Sequence, residues 1–354
     1  MTADAPSALL AARGTALGTA LGTALWTALW DALRAARQGQ TAVVPEGTQA
    51  ALLELAREHR VSGLVRKGLG MPMEPSRVEV ERSRAARATL KTLGQALVRK
   101  GIDHVFWKGP FADLVLWGGQ GLRTATDVDV LVRRADLEPT LAVLVGMHFV
   151  PLELPGFEAH VEAAKARVMV PKHPLLLPVD VHHRPLNTPP FAATSDDILA
   201  HARRYDTADG PVFGPSPEQM LVWSAGNLAG GRLQGLVPQA ADAAAFAERE
   251  HFSWDLVVET AEGFSARATT WAFLRLLSSK LGVLVPAHVE AALRPRAGAT
   301  HLEAIFGVDR PPLLGSAGLR GLLLVEWPLF ARPLWPLERG LRALTVRVRQ
   351  RLRH

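Results

Sequence analysis

The chain contains no cysteine. That excludes a disulfide scaffold, a thiolate zinc site, an iron–sulfur cluster and a thiol nucleophile. It suits a reducing compartment. Aromatic residues make up only 6%, with a single tyrosine, and lysine is scarce beside arginine. Three common enzyme signatures are missing as well: the G-x-S-x-G elbow, the P-loop and the dinucleotide fingerprint. What is there has an ordinary globular balance, 48% hydrophobic and 21% charged over 354 residues, which argues against wholesale disorder. The length suits two domains or one core with helical additions.

Forty basic residues against thirty-four acidic ones give a net charge of +6. From Arg332 onward there are seven arginines and one acid, so the tail alone supplies that excess. The body is near neutral, and composition predicts no long phosphate-tracking groove. On a helix, Leu337, Leu341, Leu344, Val348 and Leu352 form a stripe among these arginines. A solvated end is the bland reading; contact with RNA or an anionic membrane surface is the sharper one.

Near the other end, Gly14 to Trp30 is uncharged and repeats a four-residue GTAL unit. It is just short of a spanning helix, and threonine and glycine dilute it. The expectation is a helix packed on the protein; the alternative is a membrane-surface or self-association helix with Trp26 and Trp30 at the interface. No cleavage site stands out after Arg13. The expected location is cytoplasmic, with peripheral membrane contact as an alternative.

Periodicity divides the rest. Apolar spacing predicts helix over 47–68 and 82–100. Short strands are predicted at 102–107, 127–132 and 147–152, with a helix from Gly109 to about Gly118 and another from Asp136. A hairpin is predicted from 166–170 and 175–181. From Asp196 to about Leu284 the pattern is helical, broken at 211–215. The fold class expected is α+β: a small mixed β-sheet core flanked by N-terminal and C-terminal helical regions. The expected divisions are 1–46, a low-complexity N-terminal helix; 47–100, a helical region; 101–190, the core; 191–310, a C-terminal helical domain; and 311–354, a Pro-rich segment with the basic tail.

The chemistry centres on Asp127-Val128-Asp129. Aspartate is depleted in strands, yet two share one face of an apolar run while Val128, Val130 and Val132 face the core. Adjacent carboxylates repel and lose hydration, so one takes a raised pKa or both take a divalent cation. Solvated acids at a strand end are the plainer alternative. Upstream, Lys108-Gly109-Pro110 joins a strand to a helix whose free N–H groups suit phosphate. Downstream, Asp180 and His182 share a face in Pro178-Val179-Asp180-Val181-His182. A third carboxylate suits two-metal phosphoryl or nucleotidyl transfer, and it can also take a proton from an acceptor. A zinc site at Asp180 with His182 and His183 lacks a further ligand at suitable spacing.

The run FWKGPFADLVLWGGQGLRTATDVDVLV resembles the strand–KG–helix–loop–R–x–x–x–D–x–D–strand signature of the uncharacterised bacterial nucleotidyltransferase family, a branch of the DNA polymerase β-like superfamily. VDVHHRPL is similar to the family's later V-D-L-H-W element, with His183 in place of its tryptophan. The resemblance runs roughly from Ala50 to Pro286. It implies transfer of a nucleoside monophosphate from an NTP to a hydroxyl on a small molecule, sugar, protein or RNA. It implies Mg²⁺, with Mn²⁺ as an alternative, on Asp127, Asp129 and Asp180, which are also the catalytic residues. Lys108, Gly109, Arg123, Thr126 and His182 are the implied substrate contacts. The other reading is a catalytically silent member of the fold that serves as a binding scaffold, tethered by its tail.

Overall fold

The computed structural model describes residues 20–73, 75–152, 166–186, 191–230, 235–296 and 298–306. The start of the GTAL repeat and the whole segment 311–354 lie outside the described residues.

Helix α1 (Ala20–Gln38) continues the repeat. It lies against α2 (Gln49–Glu58) and α3 (Ser62–Gly68). Trp26 and Trp30 are buried, so they are core residues and not membrane-interface ones. Trp26 packs on His59 with ring centres 5.2 Å apart. The helices approach so closely that a Cβ on Gly68 would collide with the Ala32 carbonyl. Leu29, Leu52 and Leu64 are fully enclosed here, each contributing on the order of 1.5–3 kcal/mol. Among the described residues no helix is long and apolar enough to cross a membrane.

The helix expected over 47–68 is two helices. They part at Arg60, whose φ of +58° breaks the α path. Helix α4 (Arg77–Arg99) begins five residues before its expected start, because Ser76 and Glu79 form a capping box. The Ser76 hydroxyl accepts from Glu79 N at 3.2 Å, and Ser76 N donates to the Glu79 carboxylate at 2.8 Å, so two otherwise unmet N–H groups are satisfied.

The core follows: β1 (His104–Trp107), α5 (Gly109–Trp117), β2 (Val128–Val132), α6 (Leu137–Gly146), β3 (Phe149–Pro151), β4 (Ala166–Pro171) and β5 (Val179–His182). The strands form one mixed sheet in the order β1-β2-β5-β4-β3. Among the described residues only β2 and β5 run parallel, with Asp129 opposite Asp180. β1 is antiparallel to β2, with Trp107 opposite Asp129. Residues opposite one another share a face, so Trp107, Asp129 and Asp180 line up across three strands. Val128, Val130, Val132, Val179 and Val181 take the other face and are buried. Helix α4 covers that side; a Cβ on Gly94 would touch the Phe106 ring at 3.3 Å.

Downstream come α7 (Ser195–Leu199), α8 (Pro217–Gly230), α9 (Leu236–Phe246), α10 (Trp254–Gly263), α11 (Arg267–Leu276), α12 (Ala287–Leu293) and α13 (Ala299–Phe306). Within this stretch β6 (Arg203–Tyr205), expected to be helical, pairs as a hairpin with β7 (Val212–Gly214), which occupies the expected break at 211–215. Strands of three residues are too short to show a period, which is why the pattern hid them. Helix α11 runs on through a widened turn to Leu281. There the Arg34 guanidinium of α1 donates to the Lys280 carbonyl at 2.6 Å, meeting a C-terminal carbonyl that the helix itself leaves open.

Candidate active site

The front face of the sheet is partly roofed by α8. Trp223 stacks on Trp107 at 3.7 Å and 14°, and its indole N–H is tied to the Pro185 carbonyl at 2.6 Å. Next to this stack, β2 and β5 present their acids. Asp129, Asp180 and His182 offer ligand atoms that all lie within 4.8 Å of one another. The parallel register produces this, because it sets Asp129 and Asp180 side by side at one height.

Lys108 sits at the end of β1 with φ 56° and ψ −168°. That pose costs a non-glycine residue about 1–3 kcal/mol. It places Nζ 3.7 Å above the Trp107 ring and 3.2 Å from Asp129 Oδ1. Pro110 follows at the start of α5, and Lys108 is the N-cap residue, its side chain turned to Asp129 and not to the helix N–H groups. Gly109 leaves the approach open: a Cβ there would find nothing nearer than the Asp127 carbonyl at 3.9 Å.

Electrostatics separates the two acids of the D-x-D pair. Burial works against the charge of Asp129, but the Lys108 ammonium and the His182 hydrogen bond outweigh it. They hold this carboxyl well below the usual carboxylate range. His182 Nε2 stands 2.8 Å from Asp129 Oδ1. For Asp127, burial and then repulsion from Asp129 push the carboxyl up, while Thr126, Lys108 and Arg60 pull it back. Thr126 Oγ1 donates to Asp127 Oδ1 at 3.1 Å.

Asp127 lies at the half-buried mouth of β2 and outside the 4.8 Å group, in which His182 stands instead. The donor set suits a divalent cation. Two carboxylates on neighbouring strands offer the oxygen ligands that Mg²⁺ or Mn²⁺ takes, and Asp129 stays ionised despite its burial.

Arg123 is elsewhere. Its guanidinium is buried and grips Asp242 of α9, with Nε 2.9 Å from Oδ1 and Nη2 2.8 Å from Oδ2. The third nitrogen, Nη1, donates to the Arg60 carbonyl at 3.3 Å. The contact with substrate phosphate expected of Arg123 finds no open face here, because both edges of the guanidinium are already spent inside the protein. Asp113 organises the loop that carries Arg123. One carboxylate oxygen accepts from Gly121 N at 3.0 Å and the other from Arg123 N at 3.1 Å.

Two functional candidates escaped the sequence reading. Arg60 is exposed, and its Nη1 donates to Thr126 Oγ1 at 3.1 Å. Trp107 supplies the aromatic wall under Lys108. A cavity of about 430 Å³ between α4 and the β6–β7 hairpin involves the opposite face of β1, at His104 and Phe106, and none of these acids. Its walls are mainly side chains such as Leu90 and Val212, so volume alone does not mark the chemistry.

A family model described as an uncharacterised nucleotidyltransferase matches residues 45–282, more than half of the chain. Comparisons with curated proteins and with solved structures returned no match.

Proposed function

Because the chain belongs to the uncharacterised nucleotidyltransferase family, we propose that it moves a nucleoside monophosphate from an NTP to a hydroxyl-bearing acceptor with the help of Mg²⁺. The observation that carries this reading is the register of Asp129 with Asp180, with Lys108 bent over Trp107 to meet them.

In this reading Asp129 and Asp180 would hold the cation, with Asp127 at the strand mouth as a further carboxylate for it. The bound cation would neutralise phosphate charge and lower the pKa of the acceptor hydroxyl. His182 keeps Asp129 oriented through its hydrogen bond. With Asp129 on the cation, Lys108 would be available to the phosphates, a short move for a four-carbon stem. The free N–H groups at the start of α5, beside Gly109, face the same anion. An Asp180 oxygen takes the acceptor proton. The acceptor oxygen bonds to the α-phosphorus, the bond from that phosphorus to the bridging oxygen breaks, and pyrophosphate leaves with the electron pair. Catalysis is then positioning and charge neutralisation.

The test is a thermal-shift titration of ATP, GTP, CTP and UTP with and without Mg²⁺, followed by pyrophosphate release in the presence of candidate hydroxyl acceptors. Stabilisation by one NTP that needs the metal, and that Asp180→Asn loses, is the expected result. Binding indifferent to metal and to Asp180→Asn would identify a silent scaffold.

A further inference from the structure

We propose that Arg60, contributed from outside the sheet, grips the β- and γ-phosphates of the bound NTP and the pyrophosphate they become. This rests on the nucleotidyltransferase reading above and names a residue for the end of the site that reading leaves without a fixed cation.

The charge balance motivates it. Asp127, Asp129 and Asp180 gather three carboxylates, and an NTP adds a polyanion. Lys108 answers Asp129. At the Asp127 edge, outside the Asp129–Asp180–His182 group, Thr126 and Lys108 are joined by Arg60 from the α2–α3 turn, whose guanidinium touches Thr126. An exposed arginine ordinarily wanders, and holding one still costs side-chain entropy. Here the backbone beneath it is held from several sides. The Arg60 φ of +58° turns the residue out of the helical path. Its N–H bonds the Arg57 carbonyl at 3.0 Å. Its carbonyl is held by Arg123, which Asp242 anchors with two hydrogen bonds. A buried ion pair and an unfavourable backbone pose thus converge on the placement of one solvent-facing guanidinium beside the D-x-D pair. Arginine's planar fork suits phosphate oxygens. The sequence points to Arg123 for this work; in the fold Arg123 is the positioning residue and Arg60 the one with an open face.

The experiment measures affinity in Mg²⁺ for the preferred NTP, the matching NMP and inorganic pyrophosphate, in wild type, Arg60→Ala and Arg60→Lys. A charge-assisted contact to phosphate predicts about tenfold or greater weakening of NTP and pyrophosphate in Arg60→Ala, an intermediate loss in Arg60→Lys, and unchanged NMP affinity. Unaltered NTP and pyrophosphate affinity in Arg60→Ala overturns the assignment, even with the nucleotidyltransferase reading intact. Equal loss for NTP and NMP also overturns it, since that pattern reports a disturbed Asp127–Thr126 edge. Failure of the wild type to bind any NTP in Mg²⁺ removes both readings together. Arg60 is exposed, so Arg60→Ala keeps its fold, and an unchanged unfolding midpoint verifies that.

Discussion

Two buried aspartates in this protein each meet a cation, and they do different work. Asp242 receives Arg123 edge-on, with both carboxylate oxygens matched by guanidinium nitrogens and the Trp117 indole added at 3.3 Å. Asp129 receives a lysine and a histidine on the same oxygen, Oδ1. The first pair is saturated and sealed, with both side chains about 5% exposed or less. The second is lopsided: Lys108 keeps 24% of its side chain exposed, and Asp180 stands within reach. A planar fork that fills a carboxylate makes a strut. A point charge that covers one oxygen leaves room for a replacement ligand, and that is what a metal and substrate site needs.

The sharpest way to break this contrast is to neutralise each acid in turn. Asp129→Asn keeps the shape and removes the charge. Pyrophosphate release should fall by about 10²–10³-fold or more, while the unfolding midpoint drops less than in Asp242→Asn, because the partly exposed Lys108 can hydrate. Turnover near the wild-type rate would take Asp129 out of the mechanism. Asp242→Asn should do the reverse damage. It strands the Arg123 guanidinium in the interior, a loss of about 3–5 kcal/mol, measurable by urea unfolding. A cost below about 1 kcal/mol would mean that water reaches Arg123 and that the strut is not sealed.

The same contrast explains what could be foreseen. The D-x-D pair showed because acids interrupt a valine run, and Asp180 showed because VDVH repeats that texture. The strands, the front face and the valine core followed from a period of two. The parallel register that brings Asp129 to Asp180 did not, since sheet order depends on contacts far apart along the chain. Nor could composition tell which carboxylate Arg123 finds. Its partner lies 119 residues away, marked only as a lone acid in the alanine-rich run AADAAAF. That oddity was the available signal: an acid in an apolar helix needs a buried partner. Arg60 was hidden for another reason. Its left-handed φ breaks the helix without a glycine or proline to announce it, and the apolar spacing runs straight through. The bond from His182 to Asp129 is likewise hidden, since it spans neighbouring strands.

If Lys108 occupies the cation's place in the resting site, removing it sharpens the comparison further. Lys108→Met takes away the competitor for Asp129 Oδ1. Mn²⁺ binding without nucleotide, followed by calorimetry, should tighten by roughly tenfold, although pyrophosphate release slows. The two effects with opposite sign are the signature. Weaker Mn²⁺ binding would mean that Lys108 organises the site and does not merely hold it shut. The corresponding change on the saturated side, Arg123→Met, should create no new affinity for Mn²⁺.

The smallest effect concerns the edge of β5, where histidine and not aspartate carries the burden. His183 Nε2 accepts from Arg134 at 2.8 Å. Burial, then the charges of Arg134, Arg184 and Arg167, lower its pKa to about 4. In the unfolded chain a histidine titrates near roughly 6.5. Between those values the unfolded state binds the proton and the folded state refuses it. Stability must therefore fall as the pH drops from roughly 6.5 towards 4. Asp129 behaves differently: its lowered pKa stabilises the fold above the ordinary carboxylate range and withdraws that support only at more acid pH. Urea midpoints taken from pH 7 to pH 4 should slope downward in wild type and slope less in His183→Gln. They should not become flat, because burial also lowers the pKa values of His104 and His59. An unchanged slope in His183→Gln would show that His183 takes up its proton in the folded state, and the three arginines would then have to stand further from its ring than the Arg134 hydrogen bond allows.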